Sequence, residues 1–368
     1  MIDFRPVLVV VGTILSALAL AMLLPAGMAA IDGKPDWLVF MASAAITAFV
    51  GMAMVLSNHT GRRDLTVRQA FLTTALAWVA VGGFGSLPFM FSTVGLGFTD
   101  AFFETISGIT TTGATVMVNL DDASRAILLW RALLQWLGGI GIVVMAVTML
   151  PMLKIGGMQM FRMEGVEPSE KAMPRAARIT SLISMLYVVL TVLLCFLLWW
   201  AGMSGFNALT HAMTTISTGG FSNSDYSVAS FHSALVEVLI TVGMVVGGMP
   251  FMLFPQLLQR RWRILLADNQ LRWYLGIILL ATLVIALWLI MGGRHGILDA
   301  LRYSAFTVAS FITGSGFYTT DYVSWADLPL ALLFFLTFVG GCAGSTASGI
   351  KIFRFHILLA NARVQTTK

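Results

Sequence analysis

Three short stretches of small, oxygen-bearing residues carry the chemistry this chain offers: Thr111-Thr112-Gly113, Thr218-Gly219-Gly220 and Gly314-Ser315-Gly316. They supply hydroxyl and backbone carbonyl oxygens with little bulk. Glycine lets the backbone turn its carbonyls toward a common axis, and rings of carbonyls can replace the hydration shell of a potassium ion. One such loop is a weak signal; three at matching positions are a strong one. Gly113 and Gly220 are 107 residues apart, and Gly220 and Gly316 are 96 apart. All nine residues are candidate ligands of a permeating cation, and K+ is the only metal expected. No bound cofactor is expected.

Each stretch ends a short apolar run that begins near a polar-Ala pair: Asp100-Ala101, Asn207-Ala208 and Asp299-Ala300. The first two pairs start 13 residues before their glycine and the third starts 17 before, one helical turn earlier. Such half-length helices cannot cross a bilayer, whose hydrocarbon core takes about 20 apolar residues. Irregular backbone at that depth is tolerated only where it lines a cavity or is buried in protein. A half-helix entering from one side also aims its carbonyl end, the negative pole of its dipole, at the membrane centre, which favours a cation.

Full-length apolar runs flank each half-helix: about 70–91 and 126–153, then 179–200 and 234–257, then 273–291 and 328–359. Gly138-Gly139, Gly247-Gly248 and Gly340-Gly341 recur 25, 27 and 24 residues after the respective loop glycines. That register predicts a shared role, such as room beneath a loop. Two plain spans, 7–28 and 37–56, come first. The first is too long for the apolar region of a secretory signal, roughly 7–15 residues, and is expected to be retained. The expected fold is an all-α integral membrane protein: two N-terminal transmembrane helices within 1–69, then three helix, pore-loop, helix repeats over 70–153, 154–259 and 260–368.

Composition agrees, with 58% hydrophobic and only 11% charged residues, too little charge for a soluble surface. A basic balance of +5 could point to nucleic acid, but the positions of the charges argue against it. Seventeen of the 22 Lys and Arg fall near the termini and in alternate loops, including Arg62, Arg63, Lys154, Arg162, Lys171, Arg260, Arg261 and Lys368. The positive-inside rule puts these loops and both termini in the cytoplasm, in a multi-pass protein of the bacterial inner membrane. The other face is acid-rich, with Asp121, Asp122, Asp225 and Asp321 among its carboxylates, and would gather cations at an entrance. Cys195 and Cys342 lie in apolar segments and predict neither disulfide nor metal site. Enzyme chemistry is not expected: there is no His-Glu-x-x-His or phosphate-cradling motif, and Ser345 and Ser348 fit no Gly-x-Ser-x-Gly elbow.

Thr111-Thr112-Gly113-Ala114-Thr115, Ser217-Thr218-Gly219-Gly220-Phe221 and Thr313-Gly314-Ser315-Gly316-Phe317 resemble the filter loops of the Trk/Ktr/HKT superfamily of potassium and sodium transporters. The segments Trp130-Arg131, Gln135 to Gly141 and Gly340 to Lys351 extend the likeness to essentially the whole chain. The resemblance implies that Gly113, Gly220 and Gly316 set potassium selectivity. It makes 340–349, with Gly340, Gly341, Gly344, Ser345, Thr346 and Gly349, an intramembrane gating loop. It also implies a homodimer regulated by a cytosolic nucleotide- and NAD-binding ring of the TrkA type. Members of the superfamily have four repeats, whereas 52 residues follow Gly316 here. The expectation is therefore a chain cut short before the fourth repeat. The alternative to potassium uptake is a non-conducting fragment that only associates with full-length subunits.

Ionisable residues within spans are costly and functional by default. Arg131 is read as pore support or as an anchor snorkelling to the outer surface, and Glu237 as the partner of an arginine or as facing the vestibule. Lys351 is read as an inner-face anchor or a gating residue, and His211 and His232 as structural.

Overall fold

A helix that is apolar on every side is stable where lipid or protein surrounds it, and leucine, isoleucine, valine and alanine dominate this chain. A computed structural model describes residues 3–58, 66–148, 172–258, 263, 267–293 and 295–366. Arg62, Arg63, Lys154, Arg162, Lys171, Arg260, Arg261, Arg294 and Lys368, on which much of the orientation argument rests, lie outside the described residues. The described residues are helical apart from loops, short 3-10 turns and one isolated bridge between Val339 and Ile350. Five helices among them are long and apolar enough to cross a membrane.

The chain divides into two units. The first comprises Met1–Thr110 and Ala114–Gln135. Its helices α1 (Arg5–Ile31) and α2 (Asp36–Ser57) form an antiparallel pair, brought close because a Cβ on Gly12 would stand 2.6 Å from the Gly51 carbonyl oxygen. Small residues at a membrane helix contact permit this approach. Thr66 and Gln69 form a reciprocal capping box that starts α3 (Val67–Gly85). The expected span 70–91 is interrupted at Ser86, and α4 (Leu87–Phe91) follows with Pro88 in its first turn, where proline's missing N–H costs nothing. The half-helix α5 (Phe98–Ile109) and the start of α6 (Arg125–Thr148) complete the unit. Asp36, at the start of α2, accepts hydrogen bonds from Thr93 N (3.1 Å) and Ser124 Oγ (2.6 Å), tying the two-helix pair to the loops around α5.

The second unit comprises Thr111–Gly113 and Trp136–Lys368. Around α7 (Ala172–Trp200), the half-helix α8 (Gly205–Ile216) is capped by Ser204, and α9 (Ala234–Gly247) by Ser233. The expected closing span 234–257 is shorter as a helix: it stops at Gly247, where Gly248 and Pro250 end it, and α10 (Phe254–Leu258) resumes after a 3-10 turn. Asp268 caps α11 (Asn269–Met291), and the half-helix α12 (Ile297–Thr313) follows. It has 17 residues against 12 in α5 and α8 and begins one turn earlier, as the shifted Asp299-Ala300 pair requires. The expected span 328–359 is likewise not continuous. Helix α13 (Asp327–Phe338) ends before Gly340-Gly341, residues 339–351 form an irregular loop, and α14 (Ile352–Thr366) continues. A buried apolar core of Leu194, Leu198, Ile240, Met244, Phe251 and Phe306 packs the half-helices of this unit.

Candidate cation-binding loops

The backbone repeats the pattern seen in the residues. Two positions before each loop glycine, φ is positive: +55° at Thr111, +52° at Thr218 and +73° at Gly314. At the glycines themselves it is +79° at Gly113, +78° at Gly220 and +81° at Gly316. Non-glycine residues rarely hold this conformation, so Thr111 and Thr218 are held there by their surroundings. In ordinary extended chain, successive carbonyls alternate in direction. Reversing the sign of φ at every second residue lets consecutive carbonyls share one side.

The N–H groups account for the other side. Gly219 N donates to Thr214 O (2.9 Å) and Ser315 N to Ser310 O (3.0 Å), each residue six before its loop glycine. In the second and third loops the amides are thus bonded back into their half-helices. Hydroxyls stiffen the turn beyond the glycine: Ser310 Oγ donates to Phe317 O at 2.7 Å, and in the first unit Ser107 Oγ donates to Ala114 O.

Within the second unit the three stretches crowd together. A Cβ on Gly113 would collide with the Gly219 carbonyl oxygen and stand 3.1 Å from that of Ser315. A Cβ on Gly220 would overlap the Ser315 carbonyl. A Cβ on Gly316 would meet nothing within 4 Å, so Gly316 needs glycine for its φ alone. Backbone oxygens therefore gather around Gly113 and Gly220 with no room for a side chain.

Residues 339–351 run against the inner ends of two half-helices. Thr346 Oγ1 donates to Ile216 O (3.0 Å) or Gly247 O (3.1 Å) and lies 3.2 Å from Thr218 Oγ1. Ser348 N donates to Thr313 O at 3.2 Å, Cys342 N to Gly248 O at 3.0 Å, and Phe251 N to Gly344 O at 3.0 Å. Ile216 and Thr313 are the last residues of α8 and α12. The loop thus places donors on terminal carbonyls that no helical N–H can reach. The paired glycines make the room: a Cβ on Gly247 would press on Thr218 Cγ2 at 2.9 Å, and one on Gly341 on Gly248 O at 2.8 Å. Lys351 bends back so that Nζ donates to Ala347 O within the same loop.

Arg131 does not snorkel. Its side chain is 1% exposed, and Nε donates to Glu104 Oε1 at 2.8 Å with Glu104 fully buried. Glu237 pairs with Arg302 at 2.9 Å. Sequence reasoning missed Glu104, placing it only among the outer carboxylates. The available signal was a carboxylate inside the short apolar run that precedes the first loop.

Long apolar helices, short half-helices and loops crowded with backbone oxygens define a polytopic membrane protein of the cation-transporting class. Residues 38–368 match the family model of TrkH, described as a cation transport protein. The Trk system potassium uptake protein TrkI of Halomonas elongata is 37% identical, over 98% of this chain and 74% of its own length. TrkH of Escherichia coli K12 is 36% identical, over 96% and 74%. The crystal structure of the potassium transporter TrkH from Vibrio parahaemolyticus superposes with a TM-score of 0.88 at 33% identity, covering all of this chain and 76% of that one. The chain belongs to the TrkH family of cation transport proteins, a transporter family and not one of enzymes. These matches run along nearly the whole chain and lend no support to the expectation of a truncated, non-conducting fragment.

Proposed function

We propose that the chain carries potassium across the bacterial inner membrane as the translocating subunit of a Trk-type uptake system, through a filter of backbone carbonyls. The ligands are the oxygens of Thr111, Thr112 and Gly113, of Thr218, Gly219 and Gly220, and of Gly314, Ser315 and Gly316. The observation that carries this reading is the paired positive φ recurring at both positions in all three loops. The relatives named above, potassium uptake proteins, support the choice of ion.

Residues 340–349 act as the gate. Their donors occupy the carbonyl ends of α8 and α12, the same negative poles that would otherwise attract a cation below the filter. Lys351, folded onto Ala347, holds the loop's exit, and Arg131, paired with Glu104, is pore support. Both termini face the cytoplasm. The subunit pairs as a homodimer and answers to a cytosolic nucleotide-binding ring of the TrkA type, a partner supported by the family likeness.

Purified chain in liposomes is expected to pass rubidium, a potassium surrogate, in preference to sodium. Gly113→Ser is expected to lower that preference, because the new side chain must displace the Gly219 carbonyl. Absence of rubidium flux from the unsubstituted chain would overturn the reading, and an unchanged preference in the variant would overturn the assigned register.

A further inference from the structure

The half-helix residue nine before each loop glycine is Glu104, His211 or Thr307, and the residue two after is Thr115, Ser222 or Tyr318. Glu104, His211 and Thr307 are all buried, the first two completely. In two loops these positions meet. Thr115 Oγ1 donates to the Glu104 carboxylate at 2.9 Å, and Val116 N donates to Glu104 Oε2 at 3.1 Å. The Thr115 hydroxyl also accepts from Arg131 Nη2 and from Met117 N, both at 3.1 Å. One hydroxyl is thus the hub between a buried ion pair and the backbone leaving the filter.

In the second loop His211 Nε2 lies 3.1 Å from Ser222 Oγ, and Nδ1 lies 2.9 Å from Asn207 O. A carbonyl only accepts, so Nδ1 bears the proton, and in the neutral imidazole Nε2 then accepts from the Ser222 hydroxyl. The imidazole also stacks on Phe317, at 6.1 Å and 21°, the residue directly after Gly316. The third loop is held from the second: Tyr318 N donates to Ser227 Oγ at 3.3 Å, and Tyr318 Oη donates to Asp225 O.

From this register we infer that Glu104 with Thr115, and His211 with Ser222, are positioning pairs that fix the outer end of each filter strand and so set ion discrimination. Glu104 is braced by Arg131, and His211 serves the second and third strands together. A carbonyl ring discriminates by the spacing and field of its oxygens. A strand whose far end is pinned by a buried hydrogen bond keeps that spacing when a smaller ion would draw the carbonyls inward. The inference rests on the reading of Gly113, Gly220 and Gly316 as filter positions.

The test measures rubidium and sodium flux from liposomes carrying the full chain. Thr115→Val and Ser222→Ala remove one hydroxyl each and leave both the ion pair and the imidazole in place. Each is expected to lower the rubidium-to-sodium ratio roughly tenfold, the scale of a lost hydrogen bond to a charged or strongly polar partner. Thr115→Ser and Ser222→Thr, which restore the hydroxyl, are expected to keep the ratio. Thermal unfolding of all four variants alongside the parent separates discrimination from folding. If Gly113→Ser lowers the ratio while Thr115→Val or Ser222→Ala leaves it at the parent value, the positioning role in that loop is overturned and the filter reading stands. If Gly113→Ser leaves it unchanged, or the parent passes no rubidium, the filter reading falls and takes the positioning pairs with it.

Discussion

At the residue scale, two constraints separate the three loop glycines. All three have φ near +80°, a conformation that costs an L-residue with a Cβ about 1–2 kcal/mol. Gly220 carries a second constraint, since its Cβ would overlap the Ser315 carbonyl, whereas a Cβ on Gly316 meets nothing within 4 Å. Gly220→Ala is therefore expected to abolish rubidium flux and lower thermal stability. Gly316→Ala is expected to retain measurable flux and lose only the conformational cost. Flux and unfolding temperature of the two variants side by side check the difference. Equal loss in both would mean that backbone conformation alone requires glycine there.

Glu104 and Arg131 belong to the same scale but obey a different rule. A buried ion pair adds little net stability, yet removing one partner strands a charge at a cost of about 3–5 kcal/mol. Glu104→Ala alone is thus expected to be more damaging than its share of a Glu104→Ala, Arg131→Ala double variant. A double-mutant cycle on thermal stability reads the coupling, which should be well above the roughly 0.5 kcal/mol found for independent sites.

At the element scale, the decisive breaks are those of α9 at Gly247 and of α13 at Phe338. Each opens space that an unbroken helix would fill, and residues 339–351 use it to reach the ends of α8 and α12. Thr346 is the pivot, with its hydroxyl within 3.2 Å of Ile216 O, Gly247 O and Thr218 Oγ1. Thr346→Val keeps the shape and removes these bonds, uncovering the carbonyl end of α8. The expected result is faster rubidium flux at a stability cost of about 1–3 kcal/mol. Flux at or below the parent value in a well-folded variant would argue that the loop does not hold the pathway shut.

At the scale of the whole molecule, orientation follows from charge, and much of that charge lies outside the described residues. Impermeant maleimide labelling supplies the measurement. Asp121→Cys, in an exposed turn, is expected to react from the outside in spheroplasts. Lys154→Cys is expected to react only once the membrane is opened. The native Cys342 is buried and Cys195 partly so, which keeps background labelling low. The opposite pattern would invert the topology and place the acidic face in the cytoplasm.

The sequence by itself determined the membrane class and the places of three short helices ahead of the loop glycines. These follow from run length, hydropathy and spacing along one chain, and such local quantities are written in the order of residues. Run length and hydropathy could not separate a continuous closing span from a broken one at 328–359, and only the family resemblance made 340–349 a loop. The sequence also left Arg131 between anchor and support, and read His211 as structural without its partners. Only the tertiary structure decided the path of 339–351, the burial of Arg131 and the partners of His211. Burial of Arg131 depends on Glu104 arriving from another helix, the collision at Gly220 on a carbonyl 95 residues away in the chain, and the path of 339–351 on unpaired carbonyls at two distant helix ends. The oxygen-bearing stretches were legible as types and spacing. What makes them a possible cation site is the direction in which their carbonyls point, and that is a property of the folded backbone.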